Sequence, residues 1–211
     1  ATEKGDALPD FEASPCERTS AAQIDPQEGL IWVRTSINLE ATHGPNGEPL
    51  SLYISGKMAS EVYLNGVFVG ANGKPSAASE NEIPGRMDVE LYPPQGLFRL
   101  GKNEVVLLAS SHRGFIKLYR PLHIIGIAPA GLYANAALVR FDLSLATLSL
   151  FLLGGLYFGL MAIIGTFRNR SATLSVICFF AAGQLISEAL RGLVAYSYPV
   201  HDLRLFAIAA F

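Results

Sequence analysis

The stretch Glu61-Val62-Tyr63-Leu64-Asn65-Gly66-Val67-Phe68-Val69-Gly70 decides how this 211-residue chain is read. Apolar, β-branched and aromatic residues fill both sides of Asn65-Gly66. A two-residue hairpin turn needs positive φ at both central residues, which Asn followed by Gly tolerates at little cost. The stretch therefore predicts two antiparallel strands, and such a pair is stable only within a larger sheet that has a buried face.

The flanking sequence supplies that sheet. Ile31-Trp32-Val33-Arg34-Thr35-Ser36-Ile37-Asn38-Leu39 keeps its apolar side chains at odd positions, so one face packs inward while Trp32 and Arg34 share the other. Leu50–Ser55, Met87–Leu91, Glu104–Ala109, Phe115–Tyr119 and Leu122–Gly126 are further short runs. Turn signals such as Gly44-Pro45-Asn46-Gly47, and a long polar loop from Ala71 to Arg86, separate them. About eight strands result, the pattern of an antiparallel sandwich or barrel over residues 30–130. Residues 1–29, punctuated by Pro9, Pro15 and Pro26, read as a tail packed loosely on the strands, and 131–142 as a connector.

Past residue 142 the chemistry changes. Residues 1–142 hold 12 of the 16 Lys and Arg and 16 of the 18 Asp and Glu. Leu143 to Phe167 carry no charge at all, a run longer than the ~20 residues an α-helix needs to cross hydrocarbon. Arg168-Asn169-Arg170 follows, then a second apolar run capped by Ser171 and extending from Ala172 to about Tyr198. The sequence thus predicts transmembrane helices over 143–167 and 172–198, a lipid bilayer as partner, and a third, incomplete span from Leu203 within a 143–211 helical region. By the positive-inside rule Arg168 and Arg170 lie in the cytoplasm, so residues 1–142 are periplasmic or extracellular and Tyr196 and Tyr198 sit at the outer interface. A start at Ala1 without Met fits a chain whose leader has been removed. Gly155 and Gly159 form a GxxxG spacing suited to helix packing, within the bundle or in a homodimer. Gln184, Glu188 and Arg191 fall on one stripe of the second helix, as polar glue or as part of a relay.

The charge balance of residues 1–142 is −4, which argues against nucleic acid as a partner. Cys16 and Cys178 lie in unlike contexts, and His43, His112, His123 and His201 are scattered, so neither a metal centre nor a cofactor is expected. No nucleophile-base pair or phosphate loop has usable spacing, and catalysis is not expected of this segment. Trp32 and Arg34 could stack on and hydrogen-bond to a sugar ring, or pack beneath the N-terminal tail. His112 and Arg113, in Ser110-Ser111-His112-Arg113-Gly114, are ligand candidates or part of a solvated loop.

Met58–Gly70 with its Asn-Gly turn, followed by Leu100-Gly101-Lys102-Asn103-Glu104-Val105-Val106-Leu107, resembles the galactose-binding-like jelly-roll domains attached to glycosidases. That resemblance implies a jelly-roll sandwich over about residues 30–126 and carries over no ligand residues. Such a domain directly before a basic-looped helical hairpin resembles the bacterial seven-transmembrane receptors with diverse intracellular signalling modules. The resemblance implies an inner-membrane protein that senses a carbohydrate or other small molecule and signals through the bundle to a histidine kinase or diguanylate cyclase. A protein-interaction or dimerisation module of an envelope protein, and an accessory domain of a membrane-anchored glycosidase, are the alternatives.

Overall fold

The computed structural model describes residues 8–12, 16–44, 47–165 and 167–210, without the side chains of 134–144 and 193. Pro15, Pro45, Asn46 and Phe211 lie outside the described residues. The chain forms two compact units: Ala1–Leu132 with Ser197–Pro199, and Tyr133–Tyr196 with Val200–Phe211.

The first unit contains seven strands: β1 (Ile31–Leu39), β2 (Leu50–Gly56), β3 (Ala59–Leu64), β4 (Val67–Asn72), β5 (Asp88–Leu91), β6 (Gly101–Ser110) and β7 (Leu122–Pro129). They make a four-stranded sheet in the order β1-β6-β3-β4 and a three-stranded sheet in the order β5-β2-β7, all pairings antiparallel. The alternation seen in sequence points one side of each strand into a shared core that includes Val33 of β1, Leu52 and Ile54 of β2, Val62 of β3 and Leu107 of β6. In the β3–β4 hairpin Leu64 pairs with Val67, and Asn65 and Gly66 take φ of 50° and 85°, as their two-residue turn requires. Side chains tie that turn in place. Asn65 Nδ2 donates to Asn103 Oδ1 (3.0 Å), and the Glu104 amide donates back to Asn65 Oδ1 (2.9 Å). The two turns that carry the resemblance are therefore bonded to each other, which gives both Asn residues a structural role.

The expected strand at Phe115–Tyr119 is absent. Its backbone groups bond elsewhere: Gln27 pairs with both the amide and the carbonyl of Leu118 (2.9 and 3.0 Å), and the Lys57 ammonium donates to the Ile116 carbonyl. The tail is also less loose than its prolines suggest. Ile24 packs against the core, and Pro26 accepts the Ser111 amide (2.8 Å).

The remaining elements are α1 (Leu132–Ile164), α2 (Arg168–Leu193) and α3 (Tyr198–Ala210). Within them, Leu145–Ile164 and Arg168–Gly192 are long and apolar enough to cross a membrane. Each helix departs from its expected limits. The supposed connector 131–142 is already helical from Leu132, because a helix boundary need not coincide with a change in hydropathy. The second helix stops at Leu193, where Val194 turns extended (φ −131°, ψ 125°), rather than reaching Tyr198. The third helix begins at Tyr198 rather than at Leu203, with Pro199 at a position where its missing N–H is harmless. α1 and α2 pack antiparallel: a Cβ on Gly155 would lie 3.1 Å from the Phe179 ring and one on Gly159 3.2 Å from Ser175 Oγ, while that hydroxyl donates to the Gly155 carbonyl (2.8 Å). The GxxxG pair thus serves close approach within the chain. Leu153, Leu156 and Ile163 remain exposed on α1. Water disfavours such area by ~25 cal/mol per Å2, and hydrocarbon does not.

Candidate functional site

The four sequence-selected contacts divide between two places in the first unit. Trp32 and Arg34 occupy the side of β1 turned away from the core, and the register Arg34↔Val106↔Tyr63↔Phe68 carries that row across the sheet. Trp32 and Tyr63 rings lie 6.0 Å apart, and Tyr63 meets Phe68 edge-on at 5.4 Å. Together they give a three-ring surface of which only Trp32 was selected from sequence. Burial, then the Glu61 carboxylate, raises the Tyr63 phenol above its ordinary pKa. Arg34 is not presented to solvent alone. Its guanidinium meets Glu12 at 2.8 Å and lies 4.8 Å from the centre of the Phe11 ring, so the tail touches it while leaving it exposed.

His112 and Arg113 belong to a second place, built around Glu82. This carboxylate is 2% exposed. It accepts the Ser110 hydroxyl (2.5 Å), the His112 amide (3.1 Å) and the Tyr198 hydroxyl. The Tyr198 oxygen in turn accepts the Arg113 amide (2.7 Å). The His112 ring is turned elsewhere: Nε2 donates to the Ser76 carbonyl (2.9 Å), since a carbonyl can only accept. The Arg113 side chain donates to the Ser79 carbonyl (2.9 Å). The loop after β4 supplies the frame. Asn72 makes two side-chain bonds to the Arg86 backbone (2.7 and 2.8 Å), and at Gly73 and Gly85 a Cβ would press into backbone atoms at 2.3 and 2.4 Å. Against that loop, the Tyr198 amide donates to the Gly85 carbonyl (2.8 Å) and Ser197 bridges Arg86.

Burial first, and the Glu82 hydrogen bond second, push the Tyr198 phenol well above its ordinary range. Tyr198 is fully buried. It is therefore an internal side chain of the first unit rather than a headgroup anchor, and Tyr196, with its hydroxyl 3.0 Å from His201 Nδ1, is buried as well. Neither Glu82 nor Tyr198 was marked as a site by sequence. Their partners are far away along the chain, and a single Glu in a polar loop has no local signature.

In the second unit Gln184 and Glu188 are exposed on α2 and Ser187 is the buried member of the group, its hydroxyl donating to the Gly183 carbonyl (2.9 Å). Arg204 of α3 reaches the same turn and donates to the carbonyls of Ser187 (2.7 Å) and Glu188 (3.3 Å), a link that the stripe of Gln184, Glu188 and Arg191 did not suggest. Among the described residues no three His, Cys, Asp or Glu side chains gather as a metal site.

In comparisons with known proteins, no family model matches the chain and no curated protein sequence matches it.

Proposed function

We propose that this chain is the sensing part of a membrane-bound receptor, whose jelly-roll-like β unit binds a carbohydrate or related ring-shaped ligand outside the cytoplasm. One observation carries the reading: Ser197–Pro199, the last residue before α3 and the first two residues of α3, belongs to the β unit. The backbone passes between the units at Leu132–Tyr133, Tyr196–Ser197 and Pro199–Val200. A ligand that reshapes the β unit therefore acts on the helices through covalent links at the start of α1, the end of α2 and the start of α3. With Arg168 and Arg170 cytoplasmic, α1 enters and α2 returns, which puts Ser197–Pro199 on the outer side, as the reading requires.

The Trp32–Tyr63–Phe68 surface supplies rings on which a sugar face can stack. The test is glycan-array binding by the whole chain in nanodiscs, followed by hydrogen exchange at residues 195–200 with the best binder. A bound glycan that loses affinity in Trp32→Ala and changes exchange at 195–200 supports the proposal. An array without binders removes the carbohydrate, and binding without any change at 195–200 removes the receptor.

A further inference from the structure

The segment 111–121 turns its polar partners inward and its aromatic rings outward. On the inner side, Gln27 holds the Leu118 backbone, fully buried Lys57 donates its ammonium to the Ile116 carbonyl, and the Lys57 amide donates to the Pro121 carbonyl (2.8 Å). These bonds fix an irregular backbone and leave Phe115 and Tyr119 exposed. Tyr119, at 85%, is the most exposed large apolar side chain among the described residues. Arg113, Lys117 and Arg120 are interleaved with them, with no acidic residue in the segment. Arg120 stacks on the Tyr119 ring at 5.5 Å, and Lys117 has an exposed partner in Glu28 at 3.6 Å.

Rings held out by a rigid backbone and flanked by cations suit the region where headgroups meet acyl chains: amphipathic rings are favoured there, and anionic lipids attract Lys and Arg. Chain length brings such a surface within reach. The Arg113 amide is bonded to Tyr198, and Tyr198 follows Gly192, the last residue of the second apolar stretch, by six positions. Even fully extended, six residues span only ~20 Å.

We propose that residues 113–120 dock on the anionic headgroup surface of the bilayer that holds α1 and α2, with Phe115 and Tyr119 entering the interface and Lys117 and Arg120 meeting lipid phosphates. This rests on the reading that α1 and α2 cross a membrane. The experiment places the whole chain in nanodiscs with brominated acyl chains, of neutral phosphatidylcholine alone or with phosphatidylglycerol, and follows the fluorescence of Tyr119→Trp against the parent chain, whose sole indole is Trp32. The added indole is expected to be quenched about twofold more in the anionic discs, with the excess lost in ~0.5 M salt and in Lys117→Gln/Arg120→Gln. Equal quenching in both lipids, or none, overturns docking. Extraction of native membranes with alkaline carbonate separates the two readings: a chain that is released is not membrane-spanning and both fail, whereas a retained chain with an unquenched indole loses only the docking.

Discussion

The Tyr198 hydroxyl is used twice, accepting from the Arg113 amide and donating to Glu82. Tyr198→Phe keeps the ring and leaves a buried carboxylate and a backbone amide each short of a partner, so it is expected to destabilise the β unit by about 1–3 kcal/mol in chemical denaturation followed by far-UV circular dichroism. The pH dependence has a definite sign. A phenol whose folded pKa is raised holds its proton in the folded state after the unfolded chain has lost it, so its contribution is complete below ~10 and falls as pH rises beyond. Melting temperatures measured from pH 9 upward should fall more steeply for the parent than for Tyr198→Phe; parallel curves would contradict this. Asn103→Ala, which strips partners from Asn65 and from the Arg99 amide, is expected to cost about 2–3 kcal/mol by the same assay. Legibility at this scale follows sequence distance. Asn65-Gly66 could be read because the turn it demands is local. Glu82 could not, because Ser110 and Tyr198 lie 28 and 116 positions away.

Among elements, short apolar runs between turn signals located each of the strands β1 to β7, as a run of its own or as half of the hairpin, and alternation marked the buried face where one side is open, as in β1. The same signal failed at Phe115–Tyr119, where side chains of Gln27 and Lys57 have taken the backbone groups a neighbouring strand would need. Hydropathy found the two long helices and missed their ends, since it reports solvent and not backbone bonding. The packing of α1 on α2 offers a direct check. A Cβ on Gly154 would lie 3.4 Å from Cys178 Sγ, close to disulfide range. Gly154→Cys in a Cys16→Ser background should form an intrachain disulfide with Cys178 on mild oxidation, detected as a linked peptide by mass spectrometry. Failure to form it would contradict the α1–α2 register. Gly155→Leu, by contrast, would drive a branched side chain into Phe179 and is expected to abolish that link.

For the whole molecule, the native cysteines report topology without engineering, because Cys16 is exposed in the β unit and Cys178 lies in the second apolar stretch. In intact spheroplasts an impermeant maleimide is expected to label Cys16; labelling only after lysis would place the β unit on the cytoplasmic side and remove the receptor reading. A β unit followed by long apolar helices was legible from the contrast between short polar-bounded runs and uncharged ones. The membership of Ser197–Pro199 in the first unit was not, since three residues at the start of a helix carry no pattern that would assign them to a distant sheet.

That membership also sets a schedule for biogenesis. Ribosomes deliver Leu132 long before Tyr198, and at 5–20 residues per second the 66 intervening positions take on the order of 3–13 s. Throughout that interval Glu82 lacks its Tyr198 partner, which arrives only after both long helices have been synthesised. Completion of the β unit is thereby deferred until nearly the whole of the helical region up to α3 has been made.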